Sequence, residues 1–368
     1  MERIVARSGG SIIKSLMLQT VLEPGPIGDA SSWRDAGLKA YRIMLLARVL
    51  DDKFASLYRA GKIHGGVFLG RGQEALSVAI GISLREGDIF APLIRDQAGR
   101  LAFGEPILDA VRNYLGSSLG PMRGREGNVH RGRPQQGQLS MISHLGAMIP
   151  VVNGALLARR MKGISGTVGV ASLGDGGTST GAFHEAMNQA AVEKLPLVMV
   201  VADNQFAYST PAARQFACAS LADRATGYGM PGHTVDGTDL AACLKVVGDA
   251  VAKARAGQGP QMIVARLLRL CGHGEHDDAQ YVDAKLKNAP LGRDCLKVAE
   301  EFFLSHKWVT PETLTEWRNE AAHQVEAAVA KVQREPTPDP FKENWTALAT
   351  KHLAEAQPEA KGKGSHEE

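Results

Sequence analysis

The chain lacks the features that mark disulfide-stabilised and membrane-spanning proteins. It has four cysteines in 368 residues, at positions 218, 243, 271 and 295, and none of them forms a Cys-x-x-Cys or Cys-x-x-His pair. This spacing matches no usual zinc pattern, and a reducing compartment fits it better than a disulfide framework does. No apolar run reaches the ~18 residues that a transmembrane helix needs, so we expect no membrane partner.

An excess of one charge and a clear targeting signal are also missing. The sequence has 42 Lys and Arg against 39 Asp and Glu, a net charge of only +3, and no basic block stands out. Nucleic acid is therefore not an expected partner. Residues 1–22 carry three basic residues but no convincing apolar core with a cleavage site. We expect a cytoplasmic protein of bacterial type, with the mitochondrial matrix as the alternative.

One central unit, residues 168–210, organises the chain, whose hydrophobic content of 44% is ample for a large core. Val168 to Leu173 is an apolar run of strand length, and Leu197 to Ala202 is a second one. Between them lie a glycine-rich turn, residues 174–177, and a segment with helical spacing of its apolar residues. A strand, a crossover helix and a second strand predict parallel pairing, which brings both carboxyl ends to one edge of the sheet.

Two polar residues stand where these predicted strands end. Asp175 lies in the glycine-rich turn, and Asn204 follows 29 residues later. A carboxylate, an amide oxygen and a free backbone carbonyl are hard oxygen ligands, which Mg²⁺ prefers and commonly combines with substrate phosphates. The helix after the glycines offers unpaired N–H groups to those phosphates. The sequence predicts a magnesium–diphosphate site, and the alternative is an ordinary strand–helix–strand unit.

Further motifs extend this pattern from about Leu38 to Asn344. Besides GDGGTSTGAFHEAMNQAAVEKLP and NQFAYSTP, they are GRGQEA, IRDQAG, SHLGAMIP, RATGYGMPGHTVDGTD and RLCGHGEHDD. Together they resemble the α subunit of the E1 component of 2-oxo acid dehydrogenase complexes, and Gly-Asp-Gly followed by Asn resembles the thiamine diphosphate motif. The resemblance implies an α/β fold of three layers, α/β/α, with a mostly parallel sheet that binds thiamine diphosphate and Mg²⁺.

The resemblance also assigns roles to individual residues. The Asp175 and Asn204 side chains and the Phe206 carbonyl would ligate Mg²⁺, and His273 would be the catalytic hydrogen-bond donor or proton shuttle. Arg95 would clamp the diphosphate. Backbone groups of the loop that begins at Ser143 would hold the aminopyrimidine ring, and Leu145 would support the bent cofactor. The full set expected to contact the cofactor comprises Phe68, Arg95, Ser143, Leu145, Asp175, Gly176, Gly177, Asn204, Phe206 and His273.

Three positions depart from the family's pattern. Phe68 stands where relatives of the pyruvate type often carry histidine, and simple core packing is the alternative role for its ring. Ile94 replaces the usual tyrosine, which removes a hydroxyl contact to phosphate. His144 replaces the usual proline or isoleucine. His130 falls on a family histidine in a Gly-rich loop, where a solvated loop residue is the alternative.

The chain looks like half of an active site. We predict an N-terminal arm at 1–35, a thiamine-diphosphate-binding domain of the diphosphate type at 36–345 and a flexible tail at 346–368. Enzymes of this superfamily carry the glutamate that activates the cofactor on a second domain, which we do not find here. We therefore expect an E1 β subunit in an α2β2 heterotetramer. The helices predicted over 147–158 and 181–191 are candidate contact faces, with plain core as the alternative.

These inferences lead to one function and two alternatives. We predict the α subunit of a 2-oxo acid dehydrogenase E1, which decarboxylates a small-molecule 2-oxo acid oxidatively and transfers the acyl group to a lipoyl-bearing E2. The first alternative is an acetoin dehydrogenase E1 α subunit. The second is a non-catalytic regulatory partner that binds a magnesium–diphosphate group.

Overall fold

Five parallel strands form the central sheet of the structure, a computed structural model that describes residues 30–342. They are β1 (Ile89–Ala91), β2 (Gly169–Gly174), β3 (Leu197–Asp203), β6 (Gly232–Asp236) and β7 (Gln261–Arg266), while β4 (Phe206–Ala207) and β5 (Thr210–Pro211) form a separate antiparallel pair. The sheet order is β1-β2-β3-β7-β6. Parallel pairing of β2 with β3 places Gly174 opposite Ala202, as the central unit predicts.

Helices cover this sheet and connect its strands. Within the described residues they are α1 (Ala30–Arg59), α2 (Glu74–Ser83), α3 (Gln97–Ala102), α4 (Ile107–Tyr114), α5 (Met148–Met161), α6 (Gly181–Val192), α7 (Asp223–Gly227), α8 (Leu240–Arg255), α9 (Ala284–Lys287), α10 (Cys295–Ser305) and α11 (Pro311–Val332). None of these described helices combines the length and apolar character that crossing a membrane requires.

Strand β3 shows why the fold has three layers. Its seven residues are all buried, which is the pattern of a parallel strand covered on both faces. Val198 and Val200 pack with residues of α1, α2 and α8, whereas Met199 and Val201 pack with residues of α5 and α6. Two hydrophobic cores therefore lie on opposite faces of the sheet, and the expected α/β/α architecture is confirmed.

Local sequence signals set several helix starts. The Thr180 hydroxyl accepts a hydrogen bond from the Phe183 N–H at 3.3 Å, which caps α6. Thr310 caps α11 in the same way, and Pro311 occupies its first turn, where a missing N–H costs nothing. The cap, proline and acidic first turn predict this helix from the sequence alone.

The sequence also predicts short strands at 88–94 and 260–270 and a polar loop at 211–232, and the structure differs from each of these predictions. The strand expected at 88–94 ends at Ala91, because Pro92 supplies no N–H for the ladder. The strand expected at 260–270 ends at Arg266, since the Leu268 N–H bonds to Leu291 outside the sheet. The polar loop expected at 211–232 contains the short helix α7.

Two predicted segments extend beyond the described part of the chain. Most of the N-terminal arm, residues 1–29, lies outside the described residues, and so does the predicted tail at 346–368. Both remain predictions. The described part of the cofactor-binding segment begins inside α1 and ends just past α11. Buried side chains of α11 pack in one cluster with those of α1 and α4.

Candidate active site at the carboxyl edge of the sheet

The two predicted ligand side chains lie at the ends of neighbouring strands. Asp175 directly follows β2, and Asn204 directly follows β3. Both are buried, with 1% of Asp175 and 4% of Asn204 exposed to solvent. The strand ends thus bring a carboxylate and an amide to one edge of the sheet, as predicted.

The glycines after Asp175 are required by close approach. Neither Gly176 nor Gly177 has a positive φ, so an unusual turn conformation does not demand glycine here. A Cβ at Gly176 would lie 2.4 Å from the Cβ of Ala207, and one at Gly177 would lie 2.5 Å from Leu173. From the sequence, we expect glycine here because it lets the backbone turn tightly and approach a ligand. The structure corrects the first reason, because glycine at these two positions lets the turn pack against β2 and the 204–208 loop, while the approach to a ligand stays a prediction.

The 204–208 loop presents the third predicted ligand, the Phe206 carbonyl. Gln205 and Tyr208 on either side have φ of 74° and 53°, a left-handed conformation that is uncommon outside glycine and concentrates at functional sites. The Arg269 guanidinium, which is buried, donates to the Phe206 and Tyr208 carbonyls at 3.3 and 2.8 Å. Arg269 therefore fixes the strained loop.

This set of oxygens fits a hard divalent cation. Burial raises the pKa of Asp175 to about 6, although a hydrogen bond from Gln215 acts in the opposite direction and lowers this pKa. A bound cation favours the ionised carboxylate, so metal binding relieves the cost of this burial. The Asn204 and Phe206 oxygens each accept one hydrogen bond at 3.3 Å, which leaves each a second lone pair. Asp175, Asn204 and Phe206 can thus hold Mg²⁺ together with phosphate oxygens.

His273 lies among aromatic rings and an arginine. The Phe68 ring meets it edge-on with centroids 5.3 Å apart, and the Tyr208 ring lies 4.5 Å away. Burial, followed by the charges of Arg95 and Arg269, lowers the pKa of His273 to about 4. The ring is therefore neutral at physiological pH. The Phe68 ring thus contacts the predicted catalytic histidine, and its contact with the cofactor stays a prediction.

Arg95 holds the backbone at His273 by hydrogen bonding. It is buried, and its guanidinium donates to the carbonyls of Leu69 and His273 at 3.0 and 2.7 Å. Burial lowers the pKa of Arg95 to about 10, so it keeps its charge at neutral pH. These two bonds use two of the five N–H groups of the guanidinium. A diphosphate clamp by the remaining groups stays a prediction.

Ser143 and Leu145 lie in the loop before α5, and both are exposed. The Ser143 hydroxyl is 2.9 Å from His130 Nε2, and His130 Nδ1 is 3.2 Å from the Glu126 carboxylate. Leu145 lines a narrow cleft of about 30 Å³ with residues 171–173 at the end of β2. The structure thus places the Leu145 loop beside the strand that delivers Asp175. A role in binding the aminopyrimidine stays a prediction.

Several polar residues at this site carry no assigned role in the sequence analysis. Arg269 also donates to the Tyr281 hydroxyl, which in turn donates to Asp277 at 2.6 Å. Asp277 accepts the His273 backbone N–H at 2.6 Å, so the chain of bonds ends at the histidine. Two glutamines, Gln73 and Gln215, contact the predicted metal ligands. In the sequence, only the motif RLCGHGEHDD indicates the link between Arg269 and Asp277, because it contains both residues. No motif indicates the contacts of the two glutamines.

Comparison with known proteins gives a consistent result. The profile of the family described as "Dehydrogenase E1 component" matches residues 41–341. The chain is 34% identical over 304 residues to the alpha subunit of acetoin:2,6-dichlorophenolindophenol oxidoreductase from Cupriavidus necator, covering 82% of this chain and 91% of the relative. It is 30% identical over 316 residues to the pyruvate dehydrogenase E1 component subunit alpha from Rhizobium meliloti, covering 86% and 90%. It is 38% identical over 242 residues to the 2-oxoisovalerate dehydrogenase subunit alpha from Bacillus subtilis, covering 65% and 72%.

Proposed function

Because the chain belongs to the dehydrogenase E1 component family, as an E1 alpha subunit of the 2-oxo acid dehydrogenase type, we propose that it binds thiamine diphosphate and Mg²⁺. In this proposal it takes part in the oxidative decarboxylation of a 2-oxo acid and in acyl transfer to a lipoyl-bearing E2. The observation that carries the proposal is the placement of Asp175 and Asn204 at the ends of the adjacent parallel strands β2 and β3.

The residues of this chain bind and orient the cofactor. Asp175, Asn204 and the Phe206 carbonyl would hold Mg²⁺, and the N-terminus of α6 would face the diphosphate with unpaired N–H groups. When bound, thiamine diphosphate supplies the carbanion chemistry of decarboxylation. Gly176 and Gly177 keep the turn close to the loop that carries Phe206. These residues would therefore hold the diphosphate end of the cofactor in a fixed position.

His273 would hold a proton at one defined ring nitrogen. Arg95 Nη2 lies 3.5 Å from His273 Nδ1, and a guanidinium can only donate. This contact favours the neutral tautomer with its proton on Nε2, where it can be donated to a developing oxyanion. The Phe68 and Tyr208 rings pack against the imidazole, which is partly buried. A neutral donor held in place in this way suits a reaction that generates negative charge on oxygen.

The outer faces of α5 and α6 support the proposal of a β subunit. Each helix packs one side on the sheet, yet Val151 and Met161 of α5 are 47% and 87% exposed, and Val192 of α6 is 72% exposed. Gly154 and Ala158 lie exposed between the α5 residues. We propose that a β subunit covers this apolar, small-residue surface in an α2β2 heterotetramer. Sedimentation of the co-expressed pair should give about twice the summed mass of both chains, and a 1:1 complex would contradict this assembly.

The metal assignment has a direct test. Asp175→Ala should abolish Mg²⁺-dependent binding of thiamine diphosphate, measured by titration calorimetry, because it removes the charged ligand. An exposed carboxylate away from the site, Glu316→Ala on α11, provides the matched control and should leave binding unchanged. Unchanged affinity in Asp175→Ala would refute the assignment.

The substrate is a second question. The acetoin alternative gains support from the similarity to the Cupriavidus necator relative, whose name includes acetoin. The chain is a subunit of an oxidoreductase, which leaves the non-catalytic regulator without support. We propose a cytoplasmic location for the enzyme. Turnover of pyruvate, branched-chain 2-oxo acids or acetoin by the complex with its β subunit distinguishes the substrates.

A further inference from the structure

Each predicted ligand side chain is held by a glutamine from elsewhere in the chain. Gln73, just before α2, accepts a hydrogen bond from Asn204 Nδ2 at 2.7 Å through its Oε1. Gln215 donates from Nε2 to Asp175 Oδ2 at 2.9 Å, and it also donates to the Thr210 carbonyl at 2.9 Å. Gln73 therefore holds its ligand through the amide oxygen, as an acceptor, whereas Gln215 holds its ligand through the amide nitrogen, as a donor.

Both glutamines also carry a buried polar atom with no partner among the described residues. In Gln73, whose side chain is almost completely buried, this atom is the donor Nε2, and in Gln215 it is the acceptor Oε1. An unpaired buried donor or acceptor destabilises the folded state, because it has given up its hydrogen bonds to water. Residues chosen only to fill space would avoid this cost with an apolar side chain of the same size. The amides therefore point to a function that needs them.

We infer that Gln73 and Gln215 are positioning residues for the metal site, an inference that rests on the proposed function. An asparagine amide can turn either its oxygen or its NH₂ group toward a cation, and only the oxygen binds. Because Gln73 Oε1 can accept but not donate, it fixes Asn204 Nδ2 on its own side and leaves Oδ1 for the metal. Gln215 engages one carboxylate oxygen of Asp175 and so sets the orientation of the other.

The two roles predict opposite results for the same substitution. Gln73→Glu retains an acceptor oxygen for Asn204, whether the new carboxyl is ionised or neutral, and any added negative charge attracts the cation, so the affinity for Mg²⁺ should not fall by more than about threefold. Gln215→Glu loses the donor to Asp175 and, when ionised at pH 8, repels that carboxylate. The affinity should then fall by roughly 10–100-fold, which is the usual effect of removing a residue that orients a ligand.

The experiment is a calorimetric titration of Mg²⁺ into the full chain, co-purified with its β subunit, at saturating thiamine diphosphate and pH 8. Gln73→Met and Gln215→Met should each weaken Mg²⁺ binding by roughly 10–100-fold. Gln280→Met is the matched control, since its amide is exposed and contacts Asp278 outside the site, and it should bind as the parent does. Thermal unfolding without ligand accompanies each titration, so that affinities are compared only among variants that are folded at the titration temperature.

The outcomes separate this inference from the proposed function. If the parent binds Mg²⁺ and thiamine diphosphate while both Met variants bind within threefold of it, the positioning roles are wrong and the proposed function stands. If Gln73→Glu and Gln215→Glu lose affinity equally, the assignment of acceptor and donor roles is wrong. If the parent binds neither ligand, both the proposed function and this inference fail. Should the Met variants unfold, the Glu pair still decides.

Discussion

Gly176→Ala tests how the site is built, because it adds one methyl group where two segments touch. The new Cβ would lie 2.4 Å from the Cβ of Ala207, whereas apolar carbons prefer about 3.5–4.0 Å. The 204–208 loop must therefore retreat by about 1 Å or more. That movement displaces the Phe206 carbonyl, one of the three predicted Mg²⁺ ligands.

The expected magnitude follows from overpacking. Forcing an extra carbon into a closely packed contact costs typically about 1–3 kcal/mol. This corresponds to a fall in melting temperature of roughly 2–10 °C, at a few degrees per kcal/mol. Mg²⁺ affinity should fall as well, since coordination near 2.1 Å does not tolerate a shift of this size. Differential scanning calorimetry and Mg²⁺ titration measure the two effects on the same sample.

Gly174→Ala is the matched control from the same turn. A Cβ at Gly174 would meet no atom within 4 Å, and its φ of −82° suits alanine. This variant should keep the parent's melting temperature within about 2 °C, which corresponds to less than 1 kcal/mol. Equal melting temperatures and equal Mg²⁺ affinities for Gly174→Ala and Gly176→Ala would refute the close-approach reasoning.

Three further predictions concern titration and catalysis. His273→Ala should keep its melting temperature and cofactor binding while turnover falls about 10²–10⁴-fold, the usual contribution of an acid–base group; near-parental turnover would exclude the role. Because the pKa of His273 is lowered to about 4 in the folded chain, its imidazole takes up a proton at a higher pH in the unfolded chain than in the folded one. Protonation therefore favours unfolding, and this residue should reduce stability as pH falls from about 6.5 to 4. Denaturant melts of both proteins across this range should show the parent losing stability relative to His273→Ala as the pH falls. Burial raises the pKa of Asp51 to about 7, so Asp51→Asn should gain about 3 kcal/mol more unfolding free energy at pH 8 than at pH 5, and equal gains would contradict it.

The strand ends of the site could be predicted from sequence because local patterns determine them. Apolar runs of strand length, a glycine-rich turn and the crossover rule place Asp175 and Asn204 at one edge. The glutamines could not be predicted in this way. Gln215 and Asp175 are 40 residues apart, and Gln73 and Asn204 are 131 apart, so only the packed fold brings them together.

The misjudged boundaries have a similar cause. Residues 267–270 are as apolar as the strand before them, and periodicity alone predicts that the strand continues. Tertiary hydrogen bonds decide otherwise, because the Leu270 N–H bonds to the Arg71 carbonyl near α2. In the segment after Arg266, the Arg269 side chain donates to the Phe206 carbonyl of the 204–208 loop, and the His273 carbonyl accepts a hydrogen bond from Arg95. The part of the chain that sequence periodicity misjudges is therefore the part that completes the site.

The central claim is that this chain is one half of an E1 active site and that its partner supplies the rest. An artificial-acceptor assay measures this directly, with pyruvate, branched-chain 2-oxo acids and acetoin as substrates, for the chain alone and for the chain co-purified with a β subunit. We predict turnover that requires thiamine diphosphate and Mg²⁺ for at least one substrate in the complex, and none for the chain alone. Turnover by the isolated chain at roughly 1 per second or more, an ordinary enzymatic rate, would contradict the account, as would a complex inactive on all three substrate classes.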